Sequence, residues 1–97
     1  MRVWLDDVRP MPADFDVHCR TADCAIALIG SYLVDHISFD HDLGSEDTGY
    51  DVAKVIEEMA ADGECGPPTY AIHSANPVGR KNIEDAMQNA QKLWRKV

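Results

Sequence analysis

Short apolar runs alternate along this chain with longer stretches in which apolar residues recur at helical spacing. The short runs are rich in β-branched, aromatic and aliphatic residues, which is typical of buried strands. They are Arg2–Leu5, Val17–Cys19, His36–Phe39 and Thr69–Ile72. The alternation of short strands with helices predicts an α/β domain built from parallel βαβ units.

Three helices are predicted from apolar stripes and capping residues. Thr21 can cap the first, whose stripe is interrupted at Gly30, so the helix ends either there or beyond Leu33. A capping box over 48–51 begins the second, and Gly63 is a suitable stop for it. Asn76, followed by a proline, caps the third. The stripe of this last helix contains Ile83, Met87, Ala90, Leu93, Trp94 and Val97.

Right-handed crossovers restrict how such units can be arranged. We predict a four-stranded, mostly parallel sheet in the order 2-1-3-4, with helices on both faces, as in a minimal flavodoxin-like three-layer sandwich. Only about ten residues separate the first two strands, fewer than a parallel crossover usually needs. The second strand is therefore expected to be short, irregular or antiparallel.

Composition narrows the class of protein. The 97 residues are expected to form one domain over 1–97. The formal charge of −8 argues against a broad nucleic-acid-binding face, which needs clustered Lys and Arg.

Neither a signal peptide nor a membrane span is visible, so a cytoplasmic location without a membrane partner is expected. The three cysteines, without a C-x-x-C spacing, are expected to be reduced and mostly buried.

Acidic residues follow two of the predicted strands. Asp6 and Asp7 come after the first strand, and Asp40 and Asp42 after the third. The carboxyl ends of parallel strands meet at one edge of a sheet, where open α/β sheets bind ligands. Carboxylates brought together repel one another unless a cation lies between them. Oxygen ligands favour Mg²⁺ or Mn²⁺, so we predict a divalent-metal site of these four aspartates.

Other polar residues fall at the same predicted edge. His41 and His73 are candidates for general acid–base chemistry, or alternatively for holding a loop. Ser74 and Asn76 precede a helix N-terminus, which favours anions. Three basic residues are candidate phosphate ligands: Arg9, Arg80 and Lys81.

The motifs resemble a known family. An acidic pair after strand one, Asp40 after strand three and Ser74 after strand four are similar to the receiver domains of two-component signalling. The closer resemblance is to the cyclic-phosphate-processing receiver-like family, a divergent relative. It rests on three segments in order, LDDVRP at 5–10, SFDHDLG at 38–44 and HSANP at 73–77. Unlike receivers, the chain has no fifth predicted strand and lacks the lysine that receivers place there.

This resemblance implies a metal-dependent phosphoesterase acting on a cyclic phosphate of a nucleotide or RNA end. Asp6, Asp7 and Asp40 would hold the metal, and Asp40 could alternatively form an aspartyl-phosphate. Two other functions stay open: a module that captures a nucleotide or phosphate without turnover, and a minimal phosphoacceptor receiver. A nucleotide or other small cyclic phosphate is the expected partner, and homo-oligomerisation is left open.

Overall fold

The predicted strands and helices are present in the computed structural model, which describes residues 1–64 and 67–95. The four strands are β1 (Arg2–Leu5), β2 (Val17–Cys19), β3 (His36–Phe39) and β4 (Thr69–Ile72). The three helices are α1 (Ala22–Gly30), α2 (Gly49–Ala61) and α3 (Pro77–Arg95). The α/β class and the succession of elements are confirmed.

The sheet has the order β2-β1-β3-β4, and all of its strands are parallel. The predicted order is therefore confirmed. β2 is short, as expected, but it is regular and pairs in parallel with β1. The carboxyl ends of all four strands consequently lie at one edge, which brings the segments after β1, β3 and β4 together.

The helices depart from the predicted three layers, because all of them share one hydrophobic core on a single face of the sheet. α2 packs between α1 and α3. The crossovers β2–α1–β3 and β3–α2–β4 run in the same direction across the sheet, and right-handed crossovers of one direction leave the sheet on the same face. The only connection in the other direction, 6–16, has no helix.

The second face of the sheet is polar and is partly covered by the 6–16 segment. Phe15 packs edge-on against Trp4 with 5.2 Å between ring centroids, and the Arg2 guanidinium lies 4.9 Å above the Phe15 ring. Ser38 and Trp4 occupy adjacent register positions on this face. Polar strand residues on this face, such as Ser38, are thus not covered by a helix and can contact residues at the carboxyl edge of the sheet.

Local capping explains where the helices begin. The Thr21 side chain accepts a hydrogen bond from the Cys24 backbone N–H. At α2 the Thr48 N–H donates to the Asp51 carboxylate at 2.8 Å, and at α3 the Gly79 N–H donates to Asn76 Oδ1 at 2.9 Å. These bonds satisfy N–H groups that the first turn leaves without partners.

A few side chains lie elsewhere than the sequence predicts. α1 ends at Gly30, so Leu33 falls outside it and is 60% exposed. Trp94 is 48% exposed and does not belong to the buried stripe of α3. Of the cysteines, Cys19 is buried but Cys24 is exposed, and both are free thiols. The predictions for Cys65 and for Val97 fall outside the described residues.

In the described part of the chain, no helix combines the length and apolar character needed to cross a membrane.

Candidate metal and phosphate site

Three carboxylates meet at the carboxyl edge of the sheet. One oxygen from each of Asp6, Asp7 and Asp40 lies within 4.8 Å of the others. Asp6 is fully buried, Asp40 is 8% exposed and Asp7 is half-buried. The two strand ends of β1 and β3 therefore deliver an acidic trio, which is the name used below for these three residues.

Asp42 lies outside the acidic trio. Its carboxylate is exposed and accepts a hydrogen bond from the Asn76 amide at 3.4 Å. The structure thus brings together three of the four predicted metal ligands, and it places the fourth against the cap of α3.

Asp6 is the most strongly held member of the acidic trio. Its Oδ1 accepts hydrogen bonds from the backbone N–H groups of Val8 and Arg9, both at 2.8 Å, and its Oδ2 lies 2.9 Å from His73 Nε2. Burial raises the pKa of Asp6, but the N–H donors and His73 outweigh burial, and the pKa is lower than usual. Asp6 is therefore an ionised carboxylate with a lone pair of Oδ2 left for a cation.

Asp40 is in the opposite electrostatic position. Burial raises its pKa, and the Asp6 carboxylate raises it further, while His73, Ser74 and Arg9 only partly compensate. An ionised Asp40 is thus a costly group in this fold. A bound cation would remove that cost, and this is why the acidic trio fits a metal.

His73 has both ring nitrogens engaged. Nε2 faces Asp6, and Nδ1 lies 2.8 Å from the Ser38 hydroxyl. Its imidazole stacks on the Trp4 indole at 3.8 Å with an interplanar angle of 5°. Burial lowers the pKa of His73 despite the opposing effect of Asp6. The ring is a neutral, clamped group, which matches the loop-holding alternative of the sequence prediction better than proton transfer.

His41 is placed differently. Its Nδ1 is buried without a hydrogen-bond partner among the described residues, while the ring packs against Gly79 of α3. A side-chain methyl at Gly79 would overlap the imidazole, so glycine is needed there. Nδ1 of His41 is thus closed to any bound molecule.

The loop between β3 and α2 depends on two close approaches. Gly44 has φ +69°, and a Cβ there would lie 3.0 Å from the Asp7 carboxylate. Gly49 leaves no room for a Cβ, because the Asp40 carbonyl oxygen occupies that place, and its N–H donates to the His41 carbonyl at 2.9 Å. These two glycines let the loop fold tightly behind the acidic trio.

The predicted phosphate ligands divide into two groups. Arg9 is at the site, since its guanidinium donates to the His73 carbonyl at 2.7 Å and lies 3.9 Å from Asp6, while its side chain stays 46% exposed. Arg80 instead donates to the carbonyls of Ile72 and Ser74, so it supports the β4–α3 loop. Lys81 forms an exposed ion pair with Asp85 along α3.

Ser74 and Asn76 are held within the same loop. The Ser74 side chain is 3% exposed and accepts a hydrogen bond from the Asn76 N–H, and its hydroxyl also lowers the pKa of Asp40. Asn76 uses its side-chain oxygen to cap α3 and its amide to contact Asp42. Ser74 therefore belongs to the surroundings of Asp40, and Asn76 links α3 to the loop after β3.

Sequence reasoning did not single out three residues around the site. Ser38 and Trp4 contact His73, and Arg20 donates to the Asp7 carbonyl at 3.1 Å. Ser38 and Trp4 lie on strands. The alternation of strand side chains puts both on the polar face of the sheet, and this is the signal that could have found them. Arg20 follows β2, so the parallel pairing of β2 with β1 is what brings it to Asp7.

Oxygen donors from two strand ends, beside a buried serine after β4, define a receiver-like α/β domain with an acidic site that suits a hard divalent cation. Comparison with protein-family models matches residues 1–89 to the cyclic-phosphate processing receiver domain. The chain belongs to this family, as its motifs predict. No curated protein and no solved structure matches it significantly.

Proposed function

We propose that this protein is a metal-dependent phosphoesterase that opens a cyclic phosphate of a nucleotide or an RNA end. The observation that carries the proposal is the acidic trio at the carboxyl edge of the sheet, in a chain of the cyclic-phosphate processing family. His41 follows Asp40 directly in the sequence, and we assign proton transfer to it.

Asp6, Asp7 and Asp40 would hold the metal, with Mg²⁺ or Mn²⁺ suited to their oxygen donors. When bound, such an ion supplies Lewis-acid polarisation of a phosphoryl oxygen and an acidified water. The exposed part of the Arg9 guanidinium is available for non-bridging phosphate oxygens. Arg80 and Ser74 contribute by fixing the loop that closes the site on the β4 side.

His41 Nε2 would take the proton of the attacking water. A new P–O bond then forms as one ring P–O bond breaks, and the released sugar oxygen takes up a proton from solvent while the His41 imidazolium returns its own to solvent. The product is a phosphomonoester with a free hydroxyl. His73 would not transfer a proton in this scheme, because both of its ring nitrogens already have partners.

Replacement of His41 tests this assignment. With Mn²⁺ and a 2′,3′-cyclic nucleotide, His41→Gln is expected to lower kcat by about 10²–10⁴-fold, the usual contribution of a general base, without weakening Mn²⁺ binding. Steady-state rates and Mn²⁺ titrations measure the two effects separately. His36→Gln is the matched control, since His36 lies at the other end of β3 and pairs with Thr69.

Absence of turnover in nuclease-free native protein, across Mg²⁺, Mn²⁺ and several cyclic substrates, would contradict the enzymatic proposal. Tight nucleotide binding without turnover, unaffected by His41→Gln, would instead favour the capture module.

A phosphoacceptor role is the second candidate, favoured by the position of Asp40 at the end of β3 beside Ser74. Incubation with a small phosphodonor should then label Asp40 and leave an Asp40→Asn variant unlabelled. A stable label on Asp40 together with no hydrolysis of cyclic phosphates would decide for this alternative.

A further inference from the structure

Ser38, His73 and Asp6 form a chain of hydrogen bonds that crosses the polar face of the sheet. The Ser38 hydroxyl lies 2.8 Å from His73 Nδ1, and His73 Nε2 lies 2.9 Å from Asp6 Oδ2. The three residues come from three different segments, β3, the end of β4 and the end of β1. The imidazole therefore reaches from the fourth strand over the third to the first.

The direction of these bonds follows from the groups involved. An ionised carboxylate only accepts, so Nε2 must carry the hydrogen. A neutral imidazole has one N–H, which leaves Nδ1 as an acceptor and makes the Ser38 hydroxyl the donor. Trp4 stacked on the ring holds its plane. Asp6 decides which nitrogen carries the hydrogen, and Ser38 anchors the opposite nitrogen and so fixes the rotation of the ring within that plane.

The arrangement has the composition of a Ser-His-Asp triad, but burial excludes that function. Ser38 is 3% exposed and lies within β3, so its oxygen cannot reach a substrate. His73 has a side-chain exposure of 17%, and Asp6 has none. The serine end of this hydrogen-bonded series is closed to substrate, and its other end is a member of the acidic trio. Any effect of Ser38 on the site must therefore act through His73 on the geometry of Asp6.

We propose that Ser38 is a positioning residue of the metal site, which orients His73 so that its Nε2–H holds Asp6 Oδ2 in place for the cation. The inference rests on the proposed metal-binding role of the acidic trio. Groups that orient a metal ligand from behind contribute about 10–100-fold to metal affinity in other proteins. Ser38→Ala should therefore weaken Mn²⁺ binding by about 10-fold, although Ser38 touches no ligand oxygen itself.

The first experiment follows the histidine in the metal-free protein by ¹⁵N NMR. Native His73 is expected to show a protonated Nε2 and an unprotonated, hydrogen-bonded Nδ1. In Ser38→Ala the Nδ1 signal should move to that of an imidazole nitrogen without a hydrogen bond, and the Nε2–H should exchange faster with solvent, because the ring is no longer anchored at Nδ1. A protonated Nδ1 in the native protein, or unchanged Nδ1 and Nε2 signals in the variant, would overturn the proposal.

The second experiment is a double-mutant cycle on Mn²⁺ affinity, measured by the EPR signal of free Mn²⁺. If Ser38 acts through His73, Ser38→Ala should have no further effect in a His73→Ala background. Additive losses, or a Ser38→Ala variant that loses thermal stability but keeps full Mn²⁺ affinity, would reduce Ser38 to a structural residue. Ser31→Ala is the matched control, because Ser31 caps α1 far from the acidic trio.

Ser38→Cys guards against a variant that fails to fold, since it keeps the shape of the side chain and a weak donor, and it should give intermediate Mn²⁺ affinity.

The two experiments also separate this proposal from the metal site itself. If native protein binds no Mn²⁺, the metal role of the acidic trio fails, while the ¹⁵N signals of His73 and their change in Ser38→Ala still decide whether Ser38 orients the ring.

Discussion

Asp40→Asn should make the metal-free protein more stable while removing its response to Mn²⁺. Burial and the Asp6 carboxylate both raise the pKa of Asp40, so its ionised form destabilises the fold. A neutral isostere relieves this repulsion, and we expect a gain of about 0.5–2 kcal/mol, the range usual for removing an unfavourable charge. Each kcal/mol corresponds to about 4–8 °C in melting temperature for a domain of this size. Loss of a direct ligand should weaken Mn²⁺ binding by more than about 100-fold, beyond the loss of a supporting group.

The sign of the pH dependence follows from the same shift. A carboxyl whose folded pKa is raised loses its favourable contribution as the pH rises through that pKa. The stability advantage of Asp40→Asn should therefore develop with rising pH and disappear at acid pH, where both side chains are neutral. Thermal melts with and without Mn²⁺ over a pH series measure both effects. Asp47→Asn, in an exposed loop position, is the charge-matched control. A destabilised apo variant that still binds Mn²⁺ would contradict this account.

Gly49→Ala should destabilise the protein strongly and impair the acidic trio together with it. The added Cβ would overlap the backbone carbonyl oxygen of Asp40, which cannot move aside as a flexible side chain can. The strand end of β3 must shift, and the hydrogen bond from the Gly49 N–H to the His41 carbonyl with it. Overpacking of a rigid position costs about 1–3 kcal/mol, and more where backbone is displaced.

The matched substitution is Gly30→Ala at the end of α1, where nothing lies within 4 Å of the new Cβ. It should be neutral or stabilising by about 0.5–1 kcal/mol, because alanine suits a helix better than glycine. Chemical denaturation gives the two free energies of unfolding, and a Mn²⁺ titration shows whether the site survives. Equal effects of the two substitutions would mean that the loop is not packed against Asp40 in this way.

The sequence predicted the strands because strand periodicity and short apolar runs are local signals. It predicted the sheet order because the right-handed rule restricts the connections between successive strands. For the same reason it predicted that aspartates after β1 and β3 lie close together, since parallel strands bring their carboxyl ends to one edge whatever the side-chain details; of the four predicted, Asp6, Asp7 and Asp40 do so. That all three helices of the described residues pack on one face of the sheet could also have been derived. Both helical crossovers run the same way across a 2-1-3-4 sheet, and the opposite connection, 6–16, is shorter than a parallel crossover with a helix usually needs.

The roles of individual side chains could not be predicted in this way. Whether Asp42 joins the acidic trio depends on the course of the loop after β3, which Gly44 and Gly49 set through close contacts. Arg80 resembles a phosphate ligand in the sequence, but in the structure its guanidinium donates to the two carbonyl oxygens of Ile72 and Ser74 at the end of β4. The division between His41 and His73 depends on which neighbours each ring meets, and Ser38 and Trp4 lie far from His73 in sequence.

Diffraction from crystals soaked in Mn²⁺, recorded at a wavelength where manganese scatters anomalously, tests the central claim most directly. The account predicts a strong anomalous peak at the carboxyl edge of the sheet, about 2 Å from one oxygen each of Asp6, Asp7 and Asp40. No peak there in fully soaked crystals, or a peak that one or none of these three aspartates contacts, would contradict it.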